Sequence, residues 1–191
     1  MKTLKLFLFI LIPFLGLFII VPPWKTEYEK NGITVSTRKL EGYSIKEFKG
    51  ETRMHTNLGS LVRIFESVPT YQMWAYNCKN AAMVRKFNAN KGRVHVVLKM
   101  PWPIKNRDVV YDYEIIQNKV TKTVVMNVQS VSDSTIATNG NVRMKFMEST
   151  YILTPLANNL TNVEFSSISD PDVGIPISVI NLFIADAPYY T

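Results

Sequence analysis

Apolar and polar positions alternate with a period of two over most of the chain after Trp24, which predicts strands with one buried face. Segments 24–29 and 33–38 flank Lys30-Asn31-Gly32, and Asn-Gly between two such runs predicts a tight hairpin. A third strand is predicted through 43–54. The period then changes. Leu58, Leu61, Val62, Phe65 and Val68 recur on one helical face, Pro69 ends that helix, and 70–76 form a second short turn. Strands resume at 81–87 and 93–100 around a turn at Asn90-Lys91-Gly92, and continue at 109–117, 122–131, 142–155 and 160–169. Pro101-Trp102-Pro103 forces a loop, and Asn158-Asn159 turns the chain between the last two strands. Pro176 suits the first position of a terminal helix with a broad apolar face through Ile177, Ile180, Leu182, Phe183 and Ile184. The order predicts an α+β domain: a curved antiparallel sheet wrapped around a long C-terminal helix, with short helices after the third strand. A bent sheet closed by one helix encloses space, which makes a ligand cavity the first functional expectation.

The start of the chain is of a different kind. Lys2 and Lys5 precede an unbroken apolar run, Leu6 to Val21, followed by Pro22-Pro23. A basic region followed by an apolar one reads as a signal peptide or an uncleaved membrane anchor, and no small-x-small cleavage pattern follows it. Both forms leave the lysines on the cytoplasmic side, so the domain is expected to be exported, either anchored at the membrane or in a periplasmic or other extracytoplasmic space. A buried N-terminal core helix is the alternative. The expected division is 1–22 for this segment and 23–191 for one domain of about 170 residues, enough for a real core.

Cys78 is the single cysteine, so no internal disulfide forms and packing must hold the fold. Beside Trp74 and Tyr76 it reads as a buried structural thiol. Charge is uneven: residues 1–110 carry 18 Lys/Arg against 7 Asp/Glu, and 111–191 carry 4 against 8. Within 79–107, Lys79, Arg85, Lys86, Lys91, Arg93, Lys99, Lys105 and Arg107 have no acidic neighbour. Such a stretch suits an anionic membrane surface or a solvated strand face, and export argues against nucleic acid.

The segment from Lys99 to Val110, with Pro101-Trp102-Pro103 and Arg107-Asp108, resembles the Pro-Trp-Pro…Arg-Asp signature of START domains, the lipid-transfer branch of the helix-grip superfamily. Further resemblances follow in order. They are Trp24 with Asn31-Gly32-Ile33, Trp74, Val142-Arg143, Leu153-Thr154-Pro155, and Asp170-Pro171 with Gly174-Ile175-Pro176 and Val179-Ile180-Asn181. The resemblance implies a hydrophobic tunnel for a lipid or sterol-like molecule and no general enzymatic activity. It places the 101–107 loop beside the terminal helix as a gate. The chain stops at Thr191, where the family's terminal helix would be only partly built, so closure at that end is in question. A monomer without cofactor is expected.

The candidate ligand-binding residues are Tyr71, Met73, Trp74, Met100, Trp102, Arg107, Tyr111, Tyr113, Met126, Arg143, Ile177, Ile180 and Phe183. For Tyr71, Met73 and Trp74, plain core packing is the alternative. Tyr111 and Tyr113 are in phase on one strand and share a face. Met100, Met126, Met144 and Met147 offer an adaptable lining, although the odd spacing of the last two sets them on opposite faces of a regular strand. Arg107 or Arg143 either presents charge to a ligand headgroup or pins the loop through an ion pair, because a buried arginine needs a partner. No Gly-x-Ser-x-Gly, metal-ligand spacing or Gly-rich phosphate loop is present. The enzyme alternative is a small helix-grip cyclase or hydratase using a cavity Tyr/Arg/Asp set.

Overall fold

The computed structural model describes residues 21–171, 174, 177, 180, 181 and 184–191. Ten strands form one sheet: β1 Lys25–Lys30, β2 Ile33–Arg38, β3 Glu47–Met54, β4 Cys78–Asn88, β5 Lys91–Leu98, β6 Arg107–Gln117, β7 Val124–Ser130, β8 Val142–Arg143, β9 Phe146–Pro155 and β10 Thr161–Asp170. The spatial order is β1-β2-β3-β10-β9-β7-β6-β5-β4, with β8 paired in parallel to β6. This is the antiparallel sheet that the alternation predicted, in the helix-grip arrangement that the START resemblance implied.

Local chemistry sets the turns. Asn31 and Gly32 both take positive φ (53° and 74°), the backbone that lets a two-residue hairpin follow the twist of β1 and β2. Asn158 and Asn159 do the same between β9 and β10 (59° and 56°). The β4–β5 turn falls at 89–90 rather than at Asn90-Lys91-Gly92. Gly92 lies inside β5 because the Tyr113 ring packs over it; a Cβ there would sit 2.9 Å from the ring.

The first helix, α1 (Leu58–Glu66), starts where the Asn57 side chain accepts a hydrogen bond from the Ser60 amide at 2.9 Å. It buries Leu61 and Phe65 and stops before Pro69, which lies in a single 3₁₀ turn, Val68–Thr70. The one-turn helix α2 (Tyr71–Trp74) follows. Together they cover one end of the concave face, packing on Val94, Tyr113, Ile115, Val124 and Leu153. The buried Cys78 belongs to this core, and desolvation pushes its thiol above the ordinary range.

The described residues of the C-terminal segment lie across the rest of the concave face. Ile177, Ile180 and Asn181 are helical, and α3 spans Asp186–Tyr190. Pro176 and Phe183 lie outside the described residues. On one side the segment is tied to the first three strands. The Tyr28 hydroxyl donates to the Ala185 carbonyl at 2.9 Å, and the Lys46 amide donates to Asn181 Oδ1 at 3.0 Å. Gly50 admits Pro188 so closely that a Cβ would meet it at 2.8 Å. On the other side Tyr190 stacks on Tyr76 at 5.7 Å, and the Tyr76 amide donates to Thr191 Oγ1 at 3.3 Å. The described residues of this segment therefore bridge from β1–β3 to the end of α2. Among the described residues no helix is long and apolar enough to cross a membrane, and residues 6–20 of the apolar run lie outside them.

Candidate ligand cavity

The inner face of the sheet carries residues two apart on successive strands: Val96 and Leu98, then Val109 and Tyr111, Met126 and Val128, Ser149 and Tyr151, Phe165 and Ser167. With Phe65, Tyr71 and Trp74 above and the C-terminal segment across, they surround a cavity of about 640 Å³. Its mouth lies between the 101–106 loop, through Pro101 and Ile104, and the C-terminal segment, through Ile180, Ile184, Asp186 and Thr191. Exposed Lys99 stands beside it.

The closed end is aromatic. Phe65 packs on Trp74 and Tyr151 with centroids 5.6 and 4.8 Å apart, and Tyr151 stacks on Phe165 at 4.2 Å. The Trp74 indole N–H is buried without a hydrogen-bond partner among the described residues. The Tyr71 hydroxyl donates to the Phe65 carbonyl at 2.5 Å. Burial pushes the phenols of Tyr71, Tyr111 and Tyr151 well above their ordinary range, so all three are neutral. Midway up the wall, Ser149 Oγ donates to Ser167 Oγ at 2.7 Å, and that hydroxyl donates to the Glu148 carbonyl, so this polar spot satisfies itself.

Of the residues expected at a ligand site, Tyr71, Trp74, Met100, Tyr111, Met126 and Ile180 line this cavity. Others stand elsewhere, each for a physical reason. Met73 is 85% exposed, because one turn of helix with Tyr71 and Trp74 inward leaves it outward. Trp102 is 93% exposed at the tip of a turn that its flanking prolines carry away from the sheet. Ile177 is exposed and outside the lining. Tyr113 shares the face of Tyr111 but sits deeper, in the core, where its hydroxyl accepts from Lys86 Nζ at 3.0 Å. Phe183 lies outside the described residues.

The two arginines also stand outside the lining. Arg107 is buried and donates to the Pro171 and Lys105 carbonyls, so it pins the loop at the mouth to the chain leaving β10. Arg143 is on the outer face, where Nη2 lies 2.8 Å from Oδ2 of Asp108, a residue with no exposed surface. His95 reaches the same oxygen at 2.9 Å. Arg143 also donates to the Asp133 and Ile136 carbonyls, and Arg93 bridges Asp112 and Asp133. This network fastens the 131–141 segment over β5 and β6. Among the described lining residues the cavity tyrosines stand without an arginine beside them.

Sequence reasoning missed Phe65, Lys99, Tyr151 and Phe165 as lining residues. Met144 and Met147 both line the cavity despite their odd spacing. Between them the strand breaks: the Met144 amide bonds the Asp108 carbonyl and the Lys145 amide bonds the Asp170 carbonyl, which resets the alternation.

Known proteins share this arrangement. A STAR-related lipid transfer protein from Xanthomonas axonopodis superposes with a TM-score of 0.81 at 23% identity, covering 88% of this chain and 93% of that one. Human StAR-related lipid transfer protein 5 gives 0.76 at 19% identity, covering 87% and 81%. The uncharacterized protein PA1579 of Pseudomonas aeruginosa is 23% identical over 168 residues, 88% of this chain and 82% of that protein. The START domain profile itself matches residues 21–186, and the chain belongs to the START domain family.

Proposed function

We propose that this protein binds a lipid or another hydrophobic molecule in its cavity and sequesters or carries it, from an exported or membrane-tethered position. The observation that carries the reading is an apolar cavity of about 640 Å³ that opens at one end beside an exposed tryptophan and exposed lysines. Its volume falls in the range of small-molecule sites, and burial of a ligand's apolar surface supplies the driving force. The lipid-transfer proteins of similar fold support the same reading.

The mouth suits a membrane surface. Trp102 stands out from the loop between Lys99 and Lys105, an apolar wedge flanked by positive charge. An interfacial tryptophan and nearby lysines favour an anionic bilayer, at roughly 1 kcal/mol for each lysine. Trp102→Ala is expected to weaken sedimentation with vesicles of mixed neutral and anionic phospholipid by about fivefold, or ~1 kcal/mol. The wild-type association is expected to fall as salt rises. Vesicle binding that ignores salt, anionic content and Trp102 would remove the docking part of the proposal. The carrier part is tested by movement of a self-quenched fluorescent lipid from donor to acceptor vesicles. Protein that leaves the rate unchanged would sink it.

A further inference from the structure

Resting on the cavity reading above, we propose that the ligand is an uncharged, single-chain or ring lipid. Its one hydroxyl or carbonyl would seat against Tyr111 and Tyr151 at the closed end. The placement of polar groups carries this. Tyr151 is half-buried and lines the cavity. The Tyr71 hydroxyl is spent on the Phe65 carbonyl, while Tyr111 lines the cavity beside it. The closed end is thus a neutral hydroxyl cluster set into aromatic rings. A ligand hydroxyl matches it, since a hydroxyl both donates and accepts, as phenols do.

A charged end has no counterpart there. The charged side chains among the described lining residues are Lys99 and Asp186, and both belong to the mouth. A carboxylate or phosphate at the closed end would lose its water without gaining a cation. Size narrows the class further. About 640 Å³ sits within the range of small-molecule sites. That suits one chain or one ring system, and a two-chain phospholipid exceeds it.

The test is displacement of diphenylhexatriene, a neutral fluorescent probe, from the full purified domain by hexadecanol, hexadecanoate, hexadecane and lysophosphatidylcholine. Hexadecanol is expected to displace at least fivefold better than hexadecanoate or lysophosphatidylcholine. Tyr151→Phe and Tyr111→Phe each remove a single oxygen. Each is expected to weaken hexadecanol about five- to tenfold, the scale of one lost hydrogen bond, and to leave hexadecane unchanged. Preference for the acid or the phospholipid, or hexadecanol binding unchanged in both variants, would overturn the inference and leave the cavity reading standing. Failure of diphenylhexatriene and every lipid to bind would overturn the cavity reading, and this inference with it.

Discussion

Arg143→Met lowers the stability of the domain by about 3–5 kcal/mol, the loss typical when one partner of a buried ion pair is removed. Asp108 is the reason. Its carboxylate is wholly buried, and Arg143 supplies two of the bonds to its Oδ2. Its Oδ1 has no partner among the described residues, so the site is poorly compensated even when intact. Without the guanidinium, His95 is the partner left against that charge among the described residues. The 131–141 segment also loses the arginine bonds to its Asp133 and Ile136 carbonyls. For a chain of this size the loss corresponds to a fall in Tm of roughly 6–20 °C. Arg143→Lys recovers little, because an ammonium cannot reproduce the planar fork. Arg143→Met with Asp108→Asn recovers much of it, because no bare charge is left buried. Calorimetry on the four proteins checks this, and a single variant as stable as wild type would show that the network holds nothing.

Met126→Trp abolishes most ligand binding and leaves the fold intact. Met126 lies on the inner face of β7, with Tyr151 and Ile115 as its cross-strand neighbours, and its side chain lines the cavity floor. An indole there fills space a ligand would occupy. Met126 is itself buried in the core, so the indole adds part of the ~1–3 kcal/mol that overpacking costs, and the rest of its bulk enters the cavity. Binding of any lipid is expected to weaken at least tenfold, or about 1.4 kcal/mol. Met126→Leu, which conserves volume, is expected to bind as wild type does. Equilibrium titration with matched circular dichroism spectra checks both. Undiminished binding by a folded Met126→Trp would place the ligand elsewhere.

The strands and turns were legible in the sequence because their signals are local. Alternation over 109–117 set Val109, Tyr111 and Tyr113 on one face, and Asn31-Gly32 announced the first hairpin. The cavity residues on such strands could be named for the same reason. What escaped was non-local. Arg143 is aimed away from the cavity because β8 pairs in parallel with β6 and brings it to Asp108 on the outer face. Nothing near residue 143 encodes that pairing. Tyr151 sits among Ile152, Leu153 and Thr150, where neither face of β9 is cleanly apolar, so its direction could not be read until β7 and β10 flanked it. Met144 escaped because a strand break is made by bonds to Asp108 and Asp170, far along the chain.

The central claim, that this START domain holds one hydrophobic molecule between its sheet and its C-terminal segment, is tested most directly by native mass spectrometry. The wild-type domain and Met126→Trp would be purified side by side after exposure to total lipid extract. The expected result is a single added mass per protein on the wild type, released as a lipid on denaturation, and little or none on the variant. Wild-type protein that stays bare, or equal lipid on both proteins, would contradict the claim.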